Sequence, residues 1–116
     1  MKLTVNEFLP LIDGKILSKQ ANLNKIEITN GYVSDLLSDV MGNAKEGHVW
    51  ITIMRHLNVV AVASLAGIPI VVFPKNILPD QAVITKANEE KICLISSPLP
   101  TFELAGILYQ LISSQK

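Results

Sequence analysis

The stretch Ile51–Phe73, ITIMRHLNVVAVASLAGIPIVVF, decides the fold. ITI ends an apolar run, MRHLN is polar and short, NVVAVASLAG has helix-forming residues up to a glycine, and IPIVVF is apolar and β-branched. The order is strand, turn, helix, strand, the signature of a βαβ unit with a parallel sheet. In such a unit the first turn is where a ligand binds. Here it runs Met54-Arg55-His56-Leu57-Asn58 and holds no glycine.

The same grammar extends outward. HVWITI (48–53) leads into a helix at about 58–66. IPIVVF (68–73) leads into a helix at about 79–90, with Pro79 suited to the first turn. ICLIS (92–96) leads into a helix at about 101–113, with Thr101 as cap and Glu103 near the positive end. The strands are nearly continuous apolar runs, as expected when helices cover both faces of a sheet.

Upstream, SDLLSDVMGNA (34–44) predicts a helix capped by Ser34, with Leu36, Leu37, Val40 and Met41 as its apolar stripe. KIEIT (25–29) alternates strictly and reads as a half-buried strand near a sheet edge, followed by a turn at Asn30-Gly31. KILS (15–18) reads as a short strand. Thr4 caps a first helix to about Leu11, with Phe8 and Leu11 inward and Asp13-Gly14 ending it. The expected fold is a three-layer α/β/α sandwich in one domain, residues 1–116, with a mostly parallel sheet of about five strands.

The totals agree. A chain of 116 residues has the size of one domain, and 49% hydrophobic residues with few aromatics suit a covered sheet. Ten basic and ten acidic residues cancel, which argues against a nucleic-acid binder and leaves self-association unopposed by charge. The one cysteine, Cys93, lies in the apolar run KICLIS and reads as a core thiol. Asn6, Glu7 and Pro10 interrupt any signal peptide, and VVAVASLAGIPIVVF (59–73), broken by Gly67 and Pro69, is too short to span a bilayer. A soluble cytoplasmic domain, with no membrane or nucleic-acid partner, is the expectation.

The helix NVVAVASLAG has almost no polar face. A helix apolar all round is buried on all sides, so it is expected at a homodimer interface through Val59, Val60 and Ala63. The other reading is that its alanines present small exposed methyls.

The residues Gly31–Gly67, GYVSDLLSDVMGNAKEGHVWITIMRHLNVVAVASLAG, resemble the small single-domain proteins of the DRTGG family, and the likeness extends to about Leu108. The same domain type is attached to some phosphotransacetylases and to some inorganic pyrophosphatases with CBS domains. The resemblance implies a fold similar to the N-terminal domain of HPr kinase/phosphorylase and carries no established catalytic activity. The name motif itself is replaced. Arg55-His56 stands where the family has its Asp-Arg pair, and Pro74-Lys75-Asn76 stands where it has Thr-Gly-Gly. His56 and Asn58 match the His-x-Asn of the small members.

The candidate site follows from topology. Arg55, His56, Asn58, Lys75 and Asn76 fall in turns at the carboxyl ends of parallel strands, beside helix N-termini, and Ser97 and Thr101 supply hydroxyls in the next turn. Cations, amides and helix amides together suit a small anion. The other reading makes Asn58 a helix cap, Arg55 and Lys75 solvated charges, and Ser96, Ser97 and Thr101 turn formers. No GxGxxG or Walker loop is present, so a kinase would lack its phosphate cradle. No catalytic residue is assigned: His56 has no partner at a recognisable spacing. His48 reads as a surface residue. Asp35 and Asp39 lie four apart on the expected helix, either a solvated acidic face or a divalent-cation pair, and no metal site or cofactor is assigned.

The expected function is a non-catalytic regulatory or ligand-sensing domain, homodimeric, binding a small anionic metabolite or nucleotide. The alternatives are a phosphotransfer enzyme of the serine-kinase type, or its accessory subunit, and a pure protein-interaction module.

Overall fold

The computed structural model describes residues 3–19 and 25–114. Among these residues there are seven short strands: β1 (Leu3–Thr4), β2 (Lys15–Ile16), β3 (Glu27–Ile28), β4 (Asn30–Val33), β5 (His48–Ile51), β6 (Ile70–Phe73) and β7 (Cys93–Ser96). The helices are α1 (Val5–Phe8), α2 (Leu37–Asn43), α3 (Leu57–Ala66), α4 (Gln81–Glu90) and α5 (Thr101–Ser114), with a 3-10 turn at Leu9–Ile12 after α1.

The main sheet has five strands in the order β2-β7-β6-β5-β4. β4 to β7 are parallel, and β2 runs antiparallel to β7 at the far edge. The three crossovers step along the sheet in one direction. Right-handed connections therefore place α2, α3 and α4 together on one face. α5 crosses to the other face and packs on β4 and β5 beside the 3-10 turn. The three-layer α/β/α sandwich with a mostly parallel sheet is the fold expected from the sequence.

Side-chain alternation divides the interior into two cores. Val49, Ile51, Ile70, Val72, Cys93 and Ile95 meet Phe8, Ile12, Leu104 and Leu108 on the α5 side. Trp50, Val71, Phe73 and Leu94 meet Val59, Val60, Ala63, Val83 and Ala87 on the other. Burial pushes the Cys93 thiol up to about 12, so it remains a protonated core group.

Several expectations are corrected. The first helix does not reach Leu11 as α-helix. Pro10 has no N–H to continue the ladder, and the chain tightens into the 3-10 turn. With a shorter repeat, Ile12 goes inside and Leu11 stays exposed. The strand near Lys25–Thr29 keeps its alternation, with Ile28 buried, but pairs with β1 in a separate two-stranded sheet. Asn30-Gly31 is no turn. It opens β4, in parallel register with His48 and Val49. Ser34 does not cap α2, whose N-cap is Leu36; its hydroxyl accepts the Leu36 N–H at 3.2 Å in the loop before the helix. α4 begins at Gln81 behind the N-cap Asp80, leaving Pro79 outside, and Thr101 is the first residue of α5.

The apolar helix has a different explanation from the one its sequence suggests. α3 lies between α2 and α4 on the sheet, so the domain itself covers the side that carries Val59, Val60 and Ala63. Val59, Val60 and Ala63 are buried in the domain's own core and are not available to a partner. The outward side carries Ala61, Ser64 and Leu65, and Ser64 donates to Glu90 of α4 at 3.1 Å. Gly67, with φ of 75°, ends the helix in a left-handed cap while the Ile68 N–H reaches the Ala63 carbonyl.

Candidate functional site

The turn from β5 to α3 is built from behind. Thr52 donates its hydroxyl to Asp35 Oδ1 at 2.8 Å, and the Ile53 N–H donates to the same oxygen at 2.9 Å. The Thr52 hydroxyl in turn accepts from the Met54 N–H. Trp50 Nε1 donates to the Ser34 carbonyl at 2.8 Å, fixing the neighbouring loop. Among the described non-glycine residues, only Asp13, Lys75, Asn76 and Lys91 have positive φ. The turn 52–58 thus needs no glycine, because no residue in it takes a left-handed backbone.

Arg55, His56 and Asn58 line one shallow depression of about 350 Å³, closed on its far side by Asp80, Ala82 and Val83. The depression lies between the start of α3, whose N-cap is His56, and the start of α4, whose N-cap is Asp80. Neither N-cap side chain bonds its helix, and Asn58, the second residue of α3, is not the cap. The first amides of two helices therefore face this region without a side-chain acceptor at the cap. Asp80 is the residue sequence reasoning missed. An Asp directly after Pro79 is itself a helix-cap signal, but only the fold brings it to the depression that Arg55 lines.

Lys75, Asn76, Ser97 and Thr101 do not line this depression. They belong to the adjacent loops after β6 and β7. α4 and α5 leave those two strands toward opposite faces, which is the arrangement that opens a ligand crevice in α/β sheets. Here the loops bond each other. The Lys75 N–H donates to the Leu99 carbonyl at 3.0 Å, Asn76 to Ser97 at 2.9 Å, and Ser97 to Phe73 at 3.0 Å. Ser97 is fully buried; its hydroxyl donates to the Ile12 carbonyl at 2.6 Å and accepts from the Leu99 N–H. The Ser97 hydroxyl is thus engaged within the fold, with both its donor and an acceptor position used. Lys75 and Asn76 are exposed, with φ of 57° and 58°. They hold left-handed backbone where the resembled family has glycines.

Asp35 and Asp39 do not form a pair on a helix face, since α2 starts after Asp35. Asp39 accepts from the Tyr32 hydroxyl at 2.9 Å and from Asn43 at 3.1 Å. No group of three metal-ligating side chains occurs among the described residues. Burial and the Asp39 carboxylate hold the Tyr32 phenol above its ordinary value. His48 lies at the amino end of β5, away from the depression. It stacks on Tyr32 with ring centroids 6.5 Å apart, and its Nδ1 accepts the Lys45 N–H. Burial, with the Lys45 charge, pulls its pKa down.

No family model matches the sequence, and no curated protein sequence matches it. The fold matches the CBS and DRTGG domains of the regulatory region of a Clostridium perfringens pyrophosphatase, a structure complexed with the activator diadenosine tetraphosphate. The TM-score is 0.76 at 14% identity, over 92% of this chain and 46% of that one. The chain spans less than half the length of that neighbour. Its fold is DRTGG-like. No helix among the described residues is long and apolar enough to cross a membrane.

Proposed function

We propose that this domain is a non-catalytic, homodimeric regulatory module that senses a small anionic metabolite or nucleotide at the carboxyl ends of β5 and β6. The convergence of Arg55, His56 and Asn58 on one depression between two helix N-termini carries the reading. An anion there meets a guanidinium, an amide and helix amides. Asp80 on the opposite wall adds an acceptor, which suits a ligand with both an anionic group and a hydrogen-bond donor, as a nucleotide has. That the structural neighbour is a regulatory region complexed with a dinucleotide activator supports the same class of role.

A phosphotransfer enzyme is the weaker reading. Close wrapping of a phosphate chain uses successive glycines, and the turn 52–58 has neither glycine nor left-handed backbone. The test is thermal stability against a panel of nucleotides and phosphorylated metabolites, for the native protein and for Arg55→Ala and His56→Ala. A ligand at 100 times its dissociation constant stabilises by about 2.7 kcal/mol. Stabilisation that disappears in both variants is the expected result. No response to any compound refutes the sensing role and favours an interaction module; ATP turnover with a protein substrate refutes the non-catalytic one.

A further inference from the structure

The largest exposed aromatic side chains lie away from the ligand depression. Phe102 is 89% exposed and Tyr109 is 75% exposed, both on α5. They flank a groove of about 400 Å³ between α5 and β4. The groove exists because its walls are thin. Gly31 lets Leu108 approach the strand, Gly106 and Ala105 leave the helix side low, and Val33 and Ile51 line the strand side. No acidic or basic side chain lines it.

β4 is also the edge strand of the main sheet. Among the described residues its outer edge has no strand partner. Such edges are ordinarily blunted by lysine, proline or a bulge. The sequence of β4, Asn30-Gly31-Tyr32-Val33, has no lysine or proline, and it pairs residue for residue with β5.

We infer that this groove and the β4 edge form the homodimer interface, with the occupant a second copy of the chain. The inference rests on the dimeric part of the proposed function and replaces the α3 surface that the sequence suggested. One patch carries both protruding rings and a recess. A two-fold axis beside β4 would therefore set the Phe102 and Tyr109 rings of each copy against the groove of the other, an isologous contact. Antiparallel pairing of the two β4 edges would supply backbone hydrogen bonds. The uncharged lining sets no like charges against each other within the groove.

The area is consistent. With Phe102 and Tyr109 exposed by 89% and 75%, each ring offers roughly 150 Å², and with half-exposed Val33 the patch supplies on the order of 400 Å² per copy. That is about half of what each partner of a standard interface buries. The strand backbone and the polar rim supply the rest.

The test is sedimentation of the native chain, Phe102→Asp, Tyr109→Asp and Leu65→Asp across the micromolar range, with circular dichroism as the control for folding. Leu65 is equally exposed but lies on α3. The native chain and Leu65→Asp are expected to be dimers. The two α5 variants are expected to dissociate at least about a hundredfold more readily, the effect of removing an interface anchor. A monomeric native chain, a dimer that survives both α5 substitutions, or one broken by Leu65→Asp overturns the inference. Hydrogen exchange on the native chain gives an independent reading. Protection of the outward-pointing amides of β4, which alternate along the strand with those turned to β5, should rise with concentration, and its absence overturns the β4 contact. Nucleotide-induced thermal shifts measured in Phe102→Asp separate this interface from the sensing site, because that depression lacks any β4 or α5 residue.

Discussion

The Asn76 N–H donates to the Ser97 carbonyl at 2.9 Å, and this bond, with that from Lys75 to Leu99, closes the rim between β6 and β7. To aim both amides at that loop, residues 75 and 76 take left-handed backbone, φ 57° and 58°. An L-residue pays roughly 1–2 kcal/mol there, asparagine less, and glycine almost none. Lys75→Gly should therefore stabilise the domain by up to about 1 kcal/mol after the extra chain entropy of glycine is subtracted, while Asn76→Gly should be near neutral. Urea unfolding measures both. A clear loss in Lys75→Gly would show that the side chain has a structural role.

Ser97 ties three segments together, so Ser97→Ala leaves the Ile12 carbonyl and the Leu99 N–H short of a partner in a buried place. The expected loss is about 1–3 kcal/mol. Any ligand-induced thermal shift should persist in this variant, in contrast to Arg55→Ala.

A Cβ on Gly31 would stand 2.5 Å from Leu108 Cδ2. Gly31→Ala should cost about 1–3 kcal/mol by overpacking, although the clash is with a flexible side-chain end. Leu108→Ala alone should cost about 2–5 kcal/mol. The double variant should be more stable than the sum of the two losses implies, by about 0.5–3 kcal/mol, since each change makes room for the other. Simple additivity would contradict the contact.

Asp80→Asn removes the one carboxylate on the wall of the depression. Stability should change by no more than about 0.5 kcal/mol, as for other exposed positions. Affinity for anionic probes should rise, most at low salt, because a like charge near the ligand is lost while the amide oxygen keeps the acceptor. Isothermal titration with a compound found in the thermal screen checks the sign.

His48 gives a pH dependence of known direction. Its pKa is lowered in the folded state from the ordinary 6.5. Below that value the unfolded chain takes up the proton before the folded chain does. Stability is therefore unaffected by this group above about pH 6.5 and falls as the pH drops below it. Protonated Nδ1 also cannot accept the Lys45 N–H. His48→Gln should flatten the decline in melting temperature between neutral and mildly acidic buffer.

The strand-helix rhythm from His48 to Leu108 was legible because each strand is a continuous apolar run bounded by polar turns, and because such runs are stable only with both faces covered. Arg55, His56 and Asn58 were legible as neighbours because they are close in sequence and the topology fixes which end of the strand they follow. Tertiary structure alone decided the rest. Asn30-Gly31 has turn chemistry, yet it becomes the edge strand because β5 offers a ladder and Leu108 needs the missing side chain. The apolar α3 reads as an interface through Val59, Val60 and Ala63, yet these three are buried in the domain's own core. Ser97 reaches the Ile12 carbonyl, and Asp80 the depression lined by Arg55, only through segments distant in sequence. Periodicity reports which side of an element is buried, whereas what buries it depends on chain crossings that no local pattern encodes.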